Sequence, residues 1–254
     1  MHNPIYHQIA SFSSQGVRQL AVLIDPDKAD EEDVLKFSNL ANKYKADYIF
    51  SGGSLLTNDF MGTCIRILKQ TTEIPVIIFP GNNMQIYPDA DAILLLSMIS
   101  GRNPELLIGN HVIAAPYLKE SGLEIISTGY MLIESGKITS VAYMSNTLPI
   151  PYDKPDIAAS TALAGEMLGL KLIYMDAGSG AMKPVSVEMI RQVKNNVDCP
   201  LVVGGGIRSA QEAEKLWDAG ADIIVVGNAA EKDPEFISRL CQSRNKLNET
   251  KVTT

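Results

Sequence analysis

The sequence predicts an α/β fold, a single-domain (β/α)8 TIM barrel, on three observations. Strand and helix signals alternate along most of the chain, the signature of a parallel α/β arrangement. The chain has 254 residues, and barrels of roughly 250 residues are commonly one domain. Three successive apolar strands end in glycine: LIYMDAGSGAMKP (Leu172–Pro184), LVVGGGIRSAQEA (Leu201–Ala213) and ADIIVVGNAA (Ala221–Ala230). One such end is usually only a turn. Three in a row match the loops that hold a phosphate after the last strands of such barrels.

Taken in order, residues 1–16 form an arm or capping element. Strand one is LAVLID (Leu20–Asp25), and the helix after it starts at Asp30, an N-cap followed by acids in the first turn. Strand two is DYIFSGGS (Asp47–Ser54), followed by a helix from Asp59 to about Gln70, and strand three is PVIIF (Pro75–Phe79). The connection PGNNMQIYPDAD (Pro80–Asp91) then runs straight into strand four, AILLLS (Ala92–Ser97). Parallel strands normally need a helical crossover of a dozen or so residues. None fits here, so the third helix is expected to be missing or reduced. That would leave a groove lined by the apolar side chains it would have covered.

A helix from Pro104 to about Ser121 leads to strand five, LEIISTGYMLI (Leu123–Ile133). Residues 134–155 have turn residues and short β-like pieces, expected to form a loop excursion or hairpin at one end of the barrel. DIAASTALAGEMLG (Asp156–Gly169) is a small-residue helix closed by Gly169. Strand six is KLIYMD (Lys171–Asp176), helix six Val187–Asn195, strand seven Leu201–Val203, helix seven Ala210–Ala219 and strand eight Asp222–Val226. The tail after Asp233 is helical, then polar and frayed over 245–254. No composition break marks a second domain within 1–254.

Composition narrows the function. The net charge is −7 with no basic run, which argues against nucleic-acid binding. An anionic ligand must therefore be met by local donors or a metal. Cys64, Cys199 and Cys241 are scattered without pair spacing and suit a reducing, cytoplasmic setting. His2, His7 and His111 do not cluster, so a histidine-based zinc site has little support. Residues 1–16 carry no signal-peptide core, and the longest apolar run, Ala92–Ile99, is too short for a transmembrane segment.

In such barrels the chemistry sits at the strand C-terminal ends. The glycines Gly178, Gly180, Gly205, Gly206 and Gly227, with Ser179 and Asn228, let backbone N–H groups approach a phosphate dianion. The helix beginning after Ser209 is expected to add free N–H donors and a positive dipole end. Asp25 is either a turn acid of the DPD sequence or a carboxylate meeting a diphosphate through a hard cation such as Mg2+. Ser54 either supports that metal or caps a turn. Asp176 either accepts a proton from a substrate hydroxyl or is held by backbone donors. Tyr130 and Tyr174 either donate phenol hydrogen bonds to a ligand or simply pack. Lys28 and Arg208 read as solvated helix-start residues.

At these residues the sequence resembles the geranylgeranylglyceryl phosphate synthase family, which includes the bacterial PcrB-type synthases. The matching motifs are LIDPDK (Leu23–Lys28), FSGGS (Phe50–Ser54), STGY (Ser127–Tyr130), YMDAGSGA (Tyr174–Ala181), VGGGIRS (Val203–Ser209) and VVGNA (Val225–Ala229). VGGGIRS and VVGN occur in many phosphate-binding barrels; the others together are far more specific. The resemblance implies a modified barrel without a regular third helix. It also implies transfer of a prenyl group from a prenyl diphosphate to the primary hydroxyl of sn-glycerol 1-phosphate, with Mg2+ as cofactor. By the same resemblance Asp25 and Ser54 are metal positions. Tyr174, Met175, Asp176, Ala177, Gly178, Ser179, Gly180, Gly205, Gly206, Gly227 and Asn228 are glycerol-phosphate positions, and Asp176, Asp25 and Tyr130 are the catalytic candidates. Many members carry Glu where this chain has Asp176, and some carry Lys where it has Leu23. The second difference matches the group that looks geranylgeranyl-specific and forms homo-oligomers, dimers up to hexamers.

Two rival readings remain at this stage. One is another phosphate-binding barrel enzyme, acting on a phosphorylated sugar or on a thiamine or amino-acid precursor. The other is a barrel that only binds a phosphorylated ligand.

Overall fold

The computed structural model describes residues 4–53, 57–227, 233 and 235–252. Eight strands close into one barrel in sequence order: β1 (Gln19–Ile24), β2 (Tyr48–Ser51), β3 (Val76–Ile78), β4 (Ala92–Met98), β5 (Glu124–Leu132), β6 (Leu172–Asp176), β7 (Leu201–Gly204) and β8 (Ile223–Val226). Neighbours pair in parallel all the way round, and β8 closes onto β1 with Val225 beside Ala21. Strand ends fall within three residues of the expected ones.

The outer layer contains α2 (Glu31–Tyr44), α3 (Met61–Thr71), α4 (Asn110–Ser121), α6 (Pro155–Met167), α7 (Val187–Lys194), α8 (Ala210–Asp218) and α9 (Glu235–Val252), with α1 (Ile5–Ser14) and α5 (Ser140–Ser145) at the two barrel ends. Alternation along the strands divides the buried side chains into two cores. Ala21, Phe50, Leu94, Tyr130, Tyr174 and Val202 fill the barrel interior, while Val22, Ile49, Ile93, Met131, Met175 and Val203 face the helices. Asp30 caps α2 by accepting from Asp33 N at 2.9 Å. Ile5 and Ile9 of α1 join the interior core, and the Glu124 carboxylate accepts from Ile5 N and Tyr6 N at the helix start. An anion there meets unpaired N–H donors and the positive dipole end, so the N-terminal end of the barrel is closed.

No helix joins β3 to β4. Residues 79–91 return as turns, and Ile86 and Tyr87 pack against the outer core in part of the space a helix would fill. The helix expected from Pro104 begins instead as a π-helical turn over Glu105–Gly109 before α4 proper.

Of the two readings of residues 134–155, the structure has the loop excursion and not the hairpin: a single bridge pairs Ile133 with Ile150, and α5 lies between them. Val141 and Ala142 pack on the interior core, so burial of the apolar face favours a helical turn over the barrel mouth. One expectation is corrected: the tail is not frayed from residue 245, because α9 continues to Val252. Asn248 holds it, accepting from Arg18 N at 2.8 Å and donating to Arg18 O at 3.0 Å, and Arg244 pairs with Asp47.

Candidate active site

The C-terminal ends of the strands open into one cavity of about 1420 Å³. It is lined by Asp25, Tyr130, Tyr174, Asp176, Gly178, Ser179, Gly180, Gly205, Gly206 and Gly227. Barrel closure brings these together from β1, β5, β6, β7 and β8. Met175 and Ala177 are not among the lining residues: both side chains face the outer core, and Ala177 N donates to Gly204 O at 3.0 Å. Strand alternation turns Met175 away from its neighbours Tyr174 and Asp176. Ser54 and Asn228 lie outside the described residues.

Asp176 is the centre of this arrangement. Tyr130 OH donates to its Oδ2 at 2.6 Å and Gly178 N to its Oδ1 at 2.7 Å. Burial raises its pKa above the ordinary carboxylate value, while both hydrogen bonds act in the opposite sense. The result is a buried carboxylate of increased basicity, held by two donors. Burial, with Asp176 alongside, pushes the Tyr130 and Tyr174 phenols well up, so both stay protonated. Their rings meet edge to face at 5.6 Å between centroids, and Phe79 stacks on Tyr174 at 5.2 Å. Tyr130 therefore spends its hydroxyl on Asp176, a pairing the sequence reading did not make.

The glycine turns close on one another. At Gly205, φ is +81° and a Cβ would stand 2.7 Å from both Asp176 Oδ1 and Gly178 N. At Gly178, φ is +86° and a Cβ would meet Thr139 Oγ1 at 2.8 Å. Only glycine satisfies both the left-handed backbone and the approach. At the start of α8, Ser209 Oγ accepts from Glu212 N at 3.1 Å, and the Glu212 carboxylate accepts from Arg208 N at 2.7 Å. Ser209 thus caps the helix by satisfying one of its first-turn amides.

Asp25 lies at the end of β1, three strands round from Asp176. Its Oδ2 accepts from Lys28 Nζ at 2.5 Å, and its Oδ1 fills the place a Cβ on Gly53 would take, at 2.8 Å. Lys28 is thus paired rather than simply solvated. A cavity-lining carboxylate, pressed against a glycine of the next strand end, is a hard oxygen donor. Such a donor suits Mg2+, which takes one or two carboxylates and completes its shell with water and phosphate. Asp27 lines the same cavity but is structural: Thr57 N and Oγ1, both at 2.8 Å, and Asn58 N hold its carboxylate and keep its pKa low.

The cavity continues into the gap between β3 and β4. Ile86, Ile93 and Leu95 line one side there, and His111, Ala114 and Leu118 the other. The last three recur at helical spacing on one face of α4. His111 Nε2 lies 3.3 Å from Ser97 Oγ, and burial lowers its pKa. Sequence reading missed His111 as a lining residue; its spacing from Ala114 and Leu118 was the available signal. Burial pushes the cysteine thiols up, Cys64 and Cys241 to about 11 and Cys199 to about 12.

A phosphate-type cradle, a buried carboxylate and an apolar annex on one barrel define an enzyme-class site of the (β/α)8 kind. The chain belongs to the PcrB family, whose model matches residues 16–243. It is similar to the geranylgeranylglyceryl phosphate synthase of Chitinophaga pinensis, with 52% identity over 243 residues and 96% of each chain covered. It is 39% identical over 228 residues to the protein of that name from Korarchaeum cryptofilum, covering 90% of this chain and 93% of the other. Among solved structures, it superposes on (S)-3-O-geranylgeranylglyceryl phosphate synthase from Thermoplasma acidophilum, in complex with sn-glycerol-1-phosphate, with a TM-score of 0.91. Identity there is 32%, over 96% of this chain and 100% of the other.

Proposed function

We propose that the protein transfers a geranylgeranyl group from geranylgeranyl diphosphate to the primary hydroxyl of sn-glycerol 1-phosphate, forming an ether-linked lipid precursor. One observation carries this reading: a single cavity joins a glycine-lined rim at Asp176 to an apolar groove where a helix is missing. The family relationship and the glycerol-phosphate complex of the Thermoplasma relative support it. A barrel acting on a phosphorylated sugar or a thiamine precursor has no use for the groove.

The amides of the Gly178, Gly205 and Gly227 turns, with Tyr174 and Ser179, hold glycerol phosphate so that its hydroxyl lies beside Asp176. Asn228 adds to this cradle and Ser54 to the metal position; both belong to the proposal through the matched motifs. Asp25 is the carboxylate that would hold Mg2+, which when bound supplies Lewis-acid neutralisation of the departing diphosphate. Lys28 provides a second cation at that end. The allylic C–O bond breaks with its electron pair leaving on the diphosphate, and the hydroxyl oxygen forms the new C–O bond at the same carbon. Asp176 takes the hydroxyl proton, directly or through water. The π faces of Phe79, Tyr130 and Tyr174 offer negative quadrupole to the positive charge developing on the allyl group. The tail occupies the groove, where each buried methylene contributes about 0.8 kcal/mol.

The test is incubation with Mg2+, labelled glycerol 1-phosphate and geranylgeranyl diphosphate, followed by organic extraction. Label in the organic phase is the expected outcome; none with donors of any length overturns the reading. The proposal extends to a cytoplasmic homo-oligomer, whose interface includes the excursion at residues 134–155.

A further inference from the structure

We infer that Lys137, from the excursion between β5 and α6, binds the phosphate of glycerol phosphate and supplies the positive charge that the glycine turns lack. The inference rests on the glycerol-phosphate reading above and adds to it a residue that no motif marked.

A phosphate dianion in this cavity shares it with Asp25 and Asp176, in a protein of net charge −7. Neutral amides orient a dianion but do not cancel its repulsion from two carboxylates. Lys28, Lys137 and Arg208 are the cations lining the cavity among the described residues. Lys28 is engaged with Asp25 at 2.5 Å, and Arg208 donates to Ala181 O at 2.7 Å. On the β8 and β1 side the Gly227 turn is faced by Leu23, whose Cδ2 lies 3.2 Å from the place of a Cβ on Gly227.

Lys137 reaches the opposite side. Its Nζ lies 3.3 Å from the place of a Cβ on Gly180, directly over the turn that closes the β6 loop. The backbone is fixed to bring it there. Gly136 takes φ +90°, and Met182 N donates to Ser135 O at 3.1 Å, tying the excursion to the end of that loop. Thr139, two residues on, packs against Gly178. The nearby Glu134 carboxylate is engaged by Lys183 at 3.4 Å and by Gly136 N. An ammonium so placed is a point-charge phosphate donor.

The experiment is steady-state kinetics with calorimetric titration of glycerol 1-phosphate, without a prenyl donor, on wild type, Lys137→Met and Lys137→Arg. A charge-assisted hydrogen bond to phosphate predicts that Lys137→Met raises KM and Kd for glycerol 1-phosphate about ten- to hundredfold. The KM for the prenyl diphosphate and the kcat at saturation should stay within about threefold, and Lys137→Arg should recover most of the affinity. The inhibition constant of inorganic phosphate should weaken in parallel. Lys154→Met, on the same excursion but away from the cavity, is the unchanged control. Unaltered glycerol-phosphate affinity in Lys137→Met overturns the inference, as does equal weakening of both substrates. Wild type that binds no glycerol 1-phosphate overturns the functional reading instead, so the two failures are distinguishable.

Discussion

At the scale of residues, Asp176 and Tyr130 form one proton-handling unit. Burial raises the carboxylate pKa, and the Tyr130 hydroxyl offsets part of that by donating to the ionised form. Only the ionised form accepts a proton, so kcat/KM should fall as pH drops through the raised folded value, above the ordinary carboxylate range. Tyr130→Phe removes a donor to the anion, so the acid limb should move to still higher pH in a pH–rate profile. The same shift has a stability consequence of definite sign. The folded state holds this proton more tightly than the unfolded chain, so the contribution is full below the unfolded carboxylate pKa and is lost as pH rises through the folded one. Asp176→Asn should lower kcat by about 10² to 10⁴, the usual span for a general base. Asp25→Ala should nearly abolish turnover while a thermal melt stays close to wild type. Within its own turn Asp25 accepts from Asp27 N at 3.2 Å and from the half-exposed Lys28, and neither contact holds the core together. Wild-type turnover in that variant would remove Asp25 from the mechanism.

At the scale of elements, the site depends on how closely two strand-end turns approach. Gly205→Ala places a Cβ 2.7 Å from the Gly178 N–H and forces φ +81° on a residue that resists it. A cost of about 1–3 kcal/mol follows from backbone strain alone. A raised glycerol-phosphate KM should accompany it, since the displaced Gly178 amide holds the Asp176 carboxylate in the site. The groove is an element by omission: β3 passes to β4 without a helix, and the α4 face bearing His111, Ala114 and Leu118 borders it. Ala114→Phe fills that channel. Turnover with the C20 donor should collapse while shorter donors survive, in a comparison of kcat/KM across donor lengths. The missing helix was legible in the sequence because Pro80–Asp91 carries two prolines and too few residues for a crossover. The π-helical start of α4 was not, because its backbone shift leaves no periodic signal over five residues.

At the scale of the whole molecule, the two barrel ends have different tasks. The N-terminal end is sealed by α1 through Ile5, Ile9 and the Glu124 carboxylate, and the cavity lies at the C-terminal ends of the strands. Among the described residues no helix is long and apolar enough to cross a membrane. Around the mouth, Ile138, Tyr143 and Leu148 are 82%, 80% and 87% exposed. Large apolar side chains left in water at a single excursion suit coverage by a second copy of the chain. Light scattering should therefore report an oligomer, and Tyr143→Asp combined with Leu148→Asp should shift it toward the monomer. A monodisperse monomeric wild type would end that part of the proposal.

The order of strands, the gap after β3 and the glycine turns were set by the sequence itself, because each is a local matter of periodicity, length and backbone freedom. The partners were decided only by the tertiary structure. Tyr130 and Asp176 are 46 residues apart and meet because β5 and β6 pair in a register that places both side chains inside the barrel. Met175 is excluded from the cavity by the same alternation, and Lys137 reaches the Gly180 turn because the excursion is tied back to the β6 loop. A period of two tells which residues share a face, but only closure of the barrel tells which faces look at one another.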